Sequence, residues 1–221
     1  TSLTALLLIH VSAFAQTNAE PMIVAITPTL SSTSIIHRGT PITIKRIQNT
    51  NNKLLDDFAR TSRPCPPFCI QPMHIDEAVE TVGELDVLNF LNNEVADGSG
   101  LLVDARMPNF YNSETIPGSI NIPFVLFTSS ANDILPLLGA IGNEDGSWDF
   151  SRAKTLMLWC NGPWCAQSPR AIIALRALDY PADRMFYYRG GMQVWKILGL
   201  TTISPAAERR AQAAAAAQNA N

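Results

Sequence analysis

Three short apolar runs, Leu101 to Val103, Thr155 to Trp159 and Met185 to Tyr188, recur between stretches of helical periodicity from Thr81 onward. That alternation restricts the fold. Strands joined through helical crossovers lie parallel, and the crossovers cover the sheet, so an α/β unit with a largely parallel sheet and helices on both faces is expected. No internal repeat is visible, which predicts one such unit.

The local signals fill in this frame. Thr81-Val-Gly-Glu84 reads as a capping box, and Leu85, Leu88, Leu91 and Val95 form the apolar stripe of a helix ending near Gly98. Asp104-Ala-Arg106 follows the first run. Next come Ile116-Pro-Gly-Ser119, a short strand over Ile120 to Ile122 and helical material from Phe124 to Leu138. Ser168 and Pro169 make an N-cap and first-turn pair for a helix to Leu178. Gly190-Gly191 predicts a tight turn, and Met192 to Leu198 a last helix. Ahead of this unit, residues 16–72 predict a small β extension. Its strands are MIVAIT and PITIKRIQ, with Ser/Thr and His-Arg-Gly material between them. TSRPCPPFCIQP then forms a connector too rich in proline for a helix or a central strand. Residues 205–221 are Ala-rich and predict a disordered tail or a frayed helix.

Leu3 to Phe14 is an apolar run ending in Ala13-Phe14-Ala15, the small-x-small pattern of a signal-peptidase site. Residues 1–15 therefore read as the remnant of an export signal, without a starting Met or a basic n-region, and the mature chain is expected to start near Gln16 in the periplasm or otherwise outside the cytoplasm. The run is short for a membrane span, so membrane contact is expected only through this segment if it stays uncleaved. Sixteen basic against nineteen acidic residues, with no long charge run, argue against a nucleic-acid partner. Export would put Cys65, Cys69, Cys160 and Cys165 where disulfides persist.

Taken together and in this order, LLVDARMPNFYNSETIPGSINIP, LMLWCNGPWCAQSP and MFYYRGGMQVW resemble the rhodanese (sulfurtransferase) domain over residues 73–204. The resemblance implies the rhodanese-like parallel sheet. It also implies that the cysteine closing a strand before a helix, here Cys160, takes sulfane sulfur from a small donor such as thiosulfate. Cys160 would hold the sulfur as a persulfide and pass it to a thiol or cyanide-like acceptor, or to a thiol-bearing protein. Thr115 stands where a His is common, and the loop is longer and holds Trp164, Cys165 and Ala166. A phosphatase relative needs an Arg closing Cys-x5-Arg, and Ala166 occupies that place, which argues against phosphate chemistry.

Sulfur transfer needs a thiolate, and the end of a strand before a helix N-terminus favours one. If the backbone from Asn161 to Gln167 curls round Cys160, its N–H groups form an anion nest, with Gly162 permitting close approach and Pro163 stiffening the turn. Asn161, Gly162, Pro163, Trp164, Ala166, Gln167 and Ser168 are thus candidate substrate contacts, with Arg170 and Arg189 adding positive potential. The plainer alternative for Cys160 is an inert buried thiol. Cys165 is expected on the rim of the loop and is a regulator or resolver rather than the carrier. It can pair with Cys160, attack a persulfide there, or line the pocket. Asp104 and Arg106 are expected to be a structural pair. Cys65 and Cys69 are expected to form a local disulfide, and a sulfur or redox relay from them would need the connector to lie over the loop. His37 and His74 read as surface or capping residues without metal-ligand spacing, and no metal or cofactor is expected. The rival functions are a thiol-disulfide redox protein built on Cys160 and Cys165, and a non-catalytic binding module.

Overall fold

A computed structural model describes residues 23–219, so the expected export signal at 1–15 and the expected start near Gln16 lie outside the described residues. The first elements are β1 (Ser32–His37) and β2 (Thr40–Lys45), an antiparallel hairpin. Its two-residue turn, Arg38-Gly39, has positive φ at both positions, 50° and 81°, the geometry that matches strand twist. The turn is where the sequence predicts it, but the first strand is not. The Ser/Thr stretch itself is β1, because pairing sets Ile35 against Ile42 and Thr33 against Ile44 and lets Ile35 and Ile44 reach the core. Residues 23–27 carry only an isolated bridge, Thr27 to Leu30. His37 is also not a surface residue. It is 4% exposed, and its Nδ1 accepts the Gly118 N–H at 3.1 Å.

The main unit runs β3 (Glu80–Val82), α1 (Glu84–Asn92), β4 (Gly100–Asp104), α2 (Pro108–Ser113), β5 (Ile120–Asn121), α3 (Leu126–Ser129) and α4 (Ala131–Leu137). It continues with the small pair β6 (Ile141–Gly142) and β7 (Trp148–Asp149), then β8 (Thr155–Trp159), α5 (Gln167–Ala177), β9 (Met185–Tyr188), α6 (Gly191–Ile197) and α7 (Pro205–Asn219). Helix α1 starts later than its capping signal suggests. Thr81 lies in β3, and Gly83 is the N-cap, its N–H bonded to Asp86 Oδ2 at 2.9 Å. Leu85 is consequently exposed, and Val87, Leu88, Phe90 and Leu91 form the buried face. The described part of the tail forms helix α7 to Asn219. It is anchored where Arg209 donates to Asn112 Oδ1 at 2.9 Å.

The five-stranded sheet has the order β3-β9-β8-β4-β5, every pair parallel. Along central β8 the side chains alternate. Leu156 and Leu158 join Val103, Ile172, Leu175 and Tyr187 under α5, while Met157 and Trp159 join Leu88, Leu91, Tyr188 and Trp195 on the opposite face. Both faces of the central strand are buried, as expected of a covered parallel sheet. Ile35 and Ile44 of the hairpin belong to the second cluster, so the N-terminal extension shares the core of the main unit. The register sets Asp104 beside Trp159, and Trp159 beside Tyr188. The residues that follow those positions gather at the carboxyl edge of the sheet, where open α/β folds bind ligands.

Candidate active site

Cys160 directly follows β8, and the chain there is held from below. The Cys160 and Asn161 carbonyls accept the N–H groups of Met192 (3.0 Å) and Gln193 (2.9 Å) in the first turn of α6. Gly191 permits this contact. Its φ is +54°, and a Cβ there would run into the Cys160 carbonyl. With those carbonyls turned down, the neighbouring N–H groups turn into the loop. The Cys165 N–H closes a turn on the Gly162 carbonyl at 2.9 Å, with Pro163 at the position that suits its fixed φ.

The nest expected around Cys160 exists, but two sulfurs share it. Gly162 and Ser168 direct their backbone N–H groups at Cys160, whereas Asn161 and Gln167 direct theirs at Cys165. The Ser168 hydroxyl donates to Cys160 Sγ at 3.1 Å. It therefore does not cap α5, which begins at Gln167 after Ala166. In its thiol form Cys160 donates to the Cys165 carbonyl at 3.2 Å. Burial pushes the Cys160 thiol up, but the hydrogen bonds from the Cys165 thiol, from the Ser168 hydroxyl and from the Ser168 and Gly162 amides outweigh it and bring the pKa down to about 7. Cys165 moves the other way. Its hydrogen bond to Cys160, its burial and the nearby Cys160 charge all hold the proton on it. Both thiols are buried, 2% exposed for Cys160 and 6% for Cys165, so Cys165 does not stand out on the rim.

A buried polar frame fixes the loop from the side. Arg106, 1% exposed, is bidentate to Asp104 (2.9 and 2.7 Å), bonds the Glu114 carbonyl at 2.6 Å and reaches Asn161 Oδ1 at 3.1 Å. Thr115 donates to the same Asp104 carboxylate at 2.9 Å. The Arg106 guanidinium also lies 4.7 Å from the Trp159 ring centroid. Asp104 and Arg106 thus form a structural pair that positions the residue next to Cys160.

The proline-rich connector lies across the loop. Cys65 and Cys69 are joined in a disulfide, and the Gln71 N–H bonds the Pro163 carbonyl at 2.8 Å. Phe68 meets Trp164 edge-on at 5.6 Å between centroids, and Arg63 stacks on Trp164 at 3.9 Å. Arg189 is not a free charge at the mouth. It holds the connector through the Gln71 and Pro72 carbonyls at 2.9 and 3.3 Å. Arg170 is exposed at the opening and lies 4.8 Å from the Phe124 ring centroid. The connector and the loop border an open cavity of about 230 Å³, lined by Phe68, Phe110, Phe124, Trp164, Cys165 and Arg170 among others. Gln167, Ala166 and Asn161 also face it, while Cys160 does not line it. The sequence does not mark Arg63, Phe68 or Gln193 as parts of the site, and it marks Gly191 only as a turn residue. The Gly-Gly pair was a usable signal for Gly191, and nothing local marked the other three.

Because the disulfide closes the connector segment that seats Phe68, removing it should loosen that cover. A Cys65→Ser/Cys69→Ser variant is expected to lose roughly 2 kcal/mol of restraint on the segment. Iodide quenching of Trp164 fluorescence should rise, read as the difference from the same protein carrying Trp164→Phe. Unchanged quenching would show that the disulfide does not hold the cover.

The rhodanese-like domain family model matches residues 87–198. Among solved structures, the chain is similar to a protein from Bacillus halodurans, with 19% identity over 58% of this chain and 79% of that one and a TM-score of 0.43. It is similar to a rhodanese with anions from E. coli, with 22% identity over 48% and 98% and a TM-score of 0.32. It is also similar to a thiosulfate sulfurtransferase from Pseudomonas aeruginosa, with 19% identity over 57% and 20% and a TM-score of 0.39. No curated protein matches the chain.

Proposed function

Since the chain belongs to the rhodanese-like domain family, we propose that it is an exported sulfurtransferase that carries sulfane sulfur as a persulfide on Cys160. One observation carries the reading: the Cys160 sulfur lies at the carboxyl end of the central strand and receives the Ser168 hydroxyl and the Gly162 and Ser168 amides. A thiolate is the nucleophile sulfur transfer needs, and those donors favour it. In the loading step the Cys160 thiolate attacks the outer sulfur of thiosulfate. The bond from that sulfur to the sulfonate breaks, and sulfite leaves with the electron pair. The acceptor, a thiol or a cyanide-like nucleophile, then takes the outer sulfur and returns Cys160 as thiolate. The reading includes a periplasmic location, and the connector disulfide is of the kind that persists in such compartments.

Loading is expected to depend on pH in one direction. Below about 7 Cys160 is increasingly a thiol that donates to the Cys165 carbonyl, and above it a thiolate. The rate of sulfite release on adding thiosulfate should therefore climb as pH rises through about 7 and level off above it. The loaded protein should show one extra sulfur on the Cys160 peptide by mass spectrometry. Absence of sulfite at every pH would remove the assignment.

A further inference from the structure

The two thiols of the loop are placed for a second step. Cys160 Sγ lies 3.2 Å from the carbonyl oxygen of Cys165, and Cys165 forms part of the cavity wall, which Cys160 does not line. A sulfur held outermost on Cys160 is therefore beside a second thiol before it meets any outside acceptor. We infer that Cys165 is the internal acceptor of the persulfide, so that the site discharges its sulfur as hydrosulfide, closes a Cys160–Cys165 disulfide and is reset by a dithiol entering from the cavity. This rests on the sulfurtransferase reading above.

The step balances. The persulfide's terminal sulfur carries the negative charge and accepts the proton of Cys165. The resulting Cys165 thiolate attacks the inner sulfur, Cys160 Sγ. The bond between inner and outer sulfur breaks, and the outer sulfur leaves with the electron pair as HS⁻. Sulfane sulfur gains two electrons, and the two cysteines lose two as their disulfide forms. The placement of donors fits this division of labour. Beside an ionised Cys160 the Cys165 proton is held in place, so Cys165 still carries a proton when thiosulfate is attacked and can supply it to the outer sulfur.

Reset follows from which sulfur can be reached. Thiol-disulfide exchange requires attack on one sulfur and departure of the other, and the thiol with the lower pKa leaves faster. Cys165 faces the cavity, and Cys160 is held among the Ser168 hydroxyl and two amides that favour its departure as thiolate. A dithiol attacking Cys165 forms a mixed disulfide and expels Cys160. Its second thiol then releases Cys165, so the dithiol leaves oxidised. The aromatic lining from Phe68, Phe110, Phe124 and Trp164 would hold the apolar body of such a dithiol beside Cys165.

The test is a single turnover with the full chain. The protein is treated with dithiothreitol under conditions that leave the Cys65–Cys69 pair oxidised, freed of reductant and mixed with equimolar thiosulfate. Sulfite, hydrosulfide and intact mass are then followed. Release of sulfite followed by hydrosulfide, with a final mass lower by two hydrogens and a Cys160–Cys165 crosslinked peptide, is the expected result. Dithiothreitol should then restore a second turnover, and Cys165→Ser should stall as the persulfide without hydrosulfide. Sulfite release from the unsubstituted protein with a stable added sulfur and no hydrosulfide would overturn the inference and leave the sulfurtransferase reading standing. No sulfite and no added sulfur would remove both.

Discussion

Replacing Cys160 with serine is expected to lower thiosulfate-to-cyanide sulfur transfer by at least about a thousandfold while the protein stays folded. A serine hydroxyl is not ionised by the donors that suffice for a thiol, and it is a poor nucleophile toward sulfane sulfur. The fold should survive because the smaller oxygen can still receive the Ser168 hydroxyl and donate to the Cys165 carbonyl, as Cys160 Sγ does. The strand side chains on either face of β8 are untouched. Cyanide assay and circular dichroism on the same sample read the two halves of this expectation. Turnover within tenfold of the unsubstituted protein, or sulfur recovered on the Cys165 peptide, would move the carrier role away from Cys160.

Arg106→Met is expected to be the most destabilising of the conservative-volume changes near the site, by about 3–5 kcal/mol. The guanidinium neutralises Asp104, which is wholly buried, and the pair is a poor source of net stability when intact but a costly one to break from one side. With the arginine gone, the carboxylate keeps the Thr115 hydroxyl and one backbone N–H, while the Glu114 carbonyl and Asn161 Oδ1 each lose a donor. Because Asn161 follows Cys160, the same change should also slow loading beyond what the unfolded fraction accounts for. Arg106→Lys retains the charge without the fork and should recover only part of either loss. Urea denaturation measures the first effect and sulfite release at a fixed folded fraction the second. A stability change under about 1 kcal/mol would show that the carboxylate finds another partner.

Legibility followed the range of the interactions involved. The strands Thr155 to Trp159 and Met185 to Tyr188 were readable to the residue, since an unbroken apolar run in a doubly covered sheet leaves its mark on every position. The hairpin turn at Arg38-Gly39 was legible because backbone sterics act locally. The first strand of that hairpin was not, because Ser32 to His37 become a strand through their pairing with β2 and the burial of Ile35. Two capping signals failed in the same way. Thr81 was drawn into β3 by pairing with Tyr187, and the Ser168 hydroxyl turned to the Cys160 sulfur. In both cases a tertiary partner competed with a local backbone bond.

By itself the sequence determined the layered α/β architecture, the position of a cysteine where a central strand meets a helix, and the short-range Cys65–Cys69 pairing. Each depends on periodicity or on neighbours a few residues apart. Only the tertiary structure decided how the loop's amides are divided between Cys160 and Cys165, which thiol faces the cavity, and that Arg63, Phe68 and Gln71 close over Trp164 and Pro163. Those outcomes depend on how α6 meets the end of β8 and where the connector lies. They come from contacts between segments far apart in the chain, whose energies exceed the local preferences that a sequence displays.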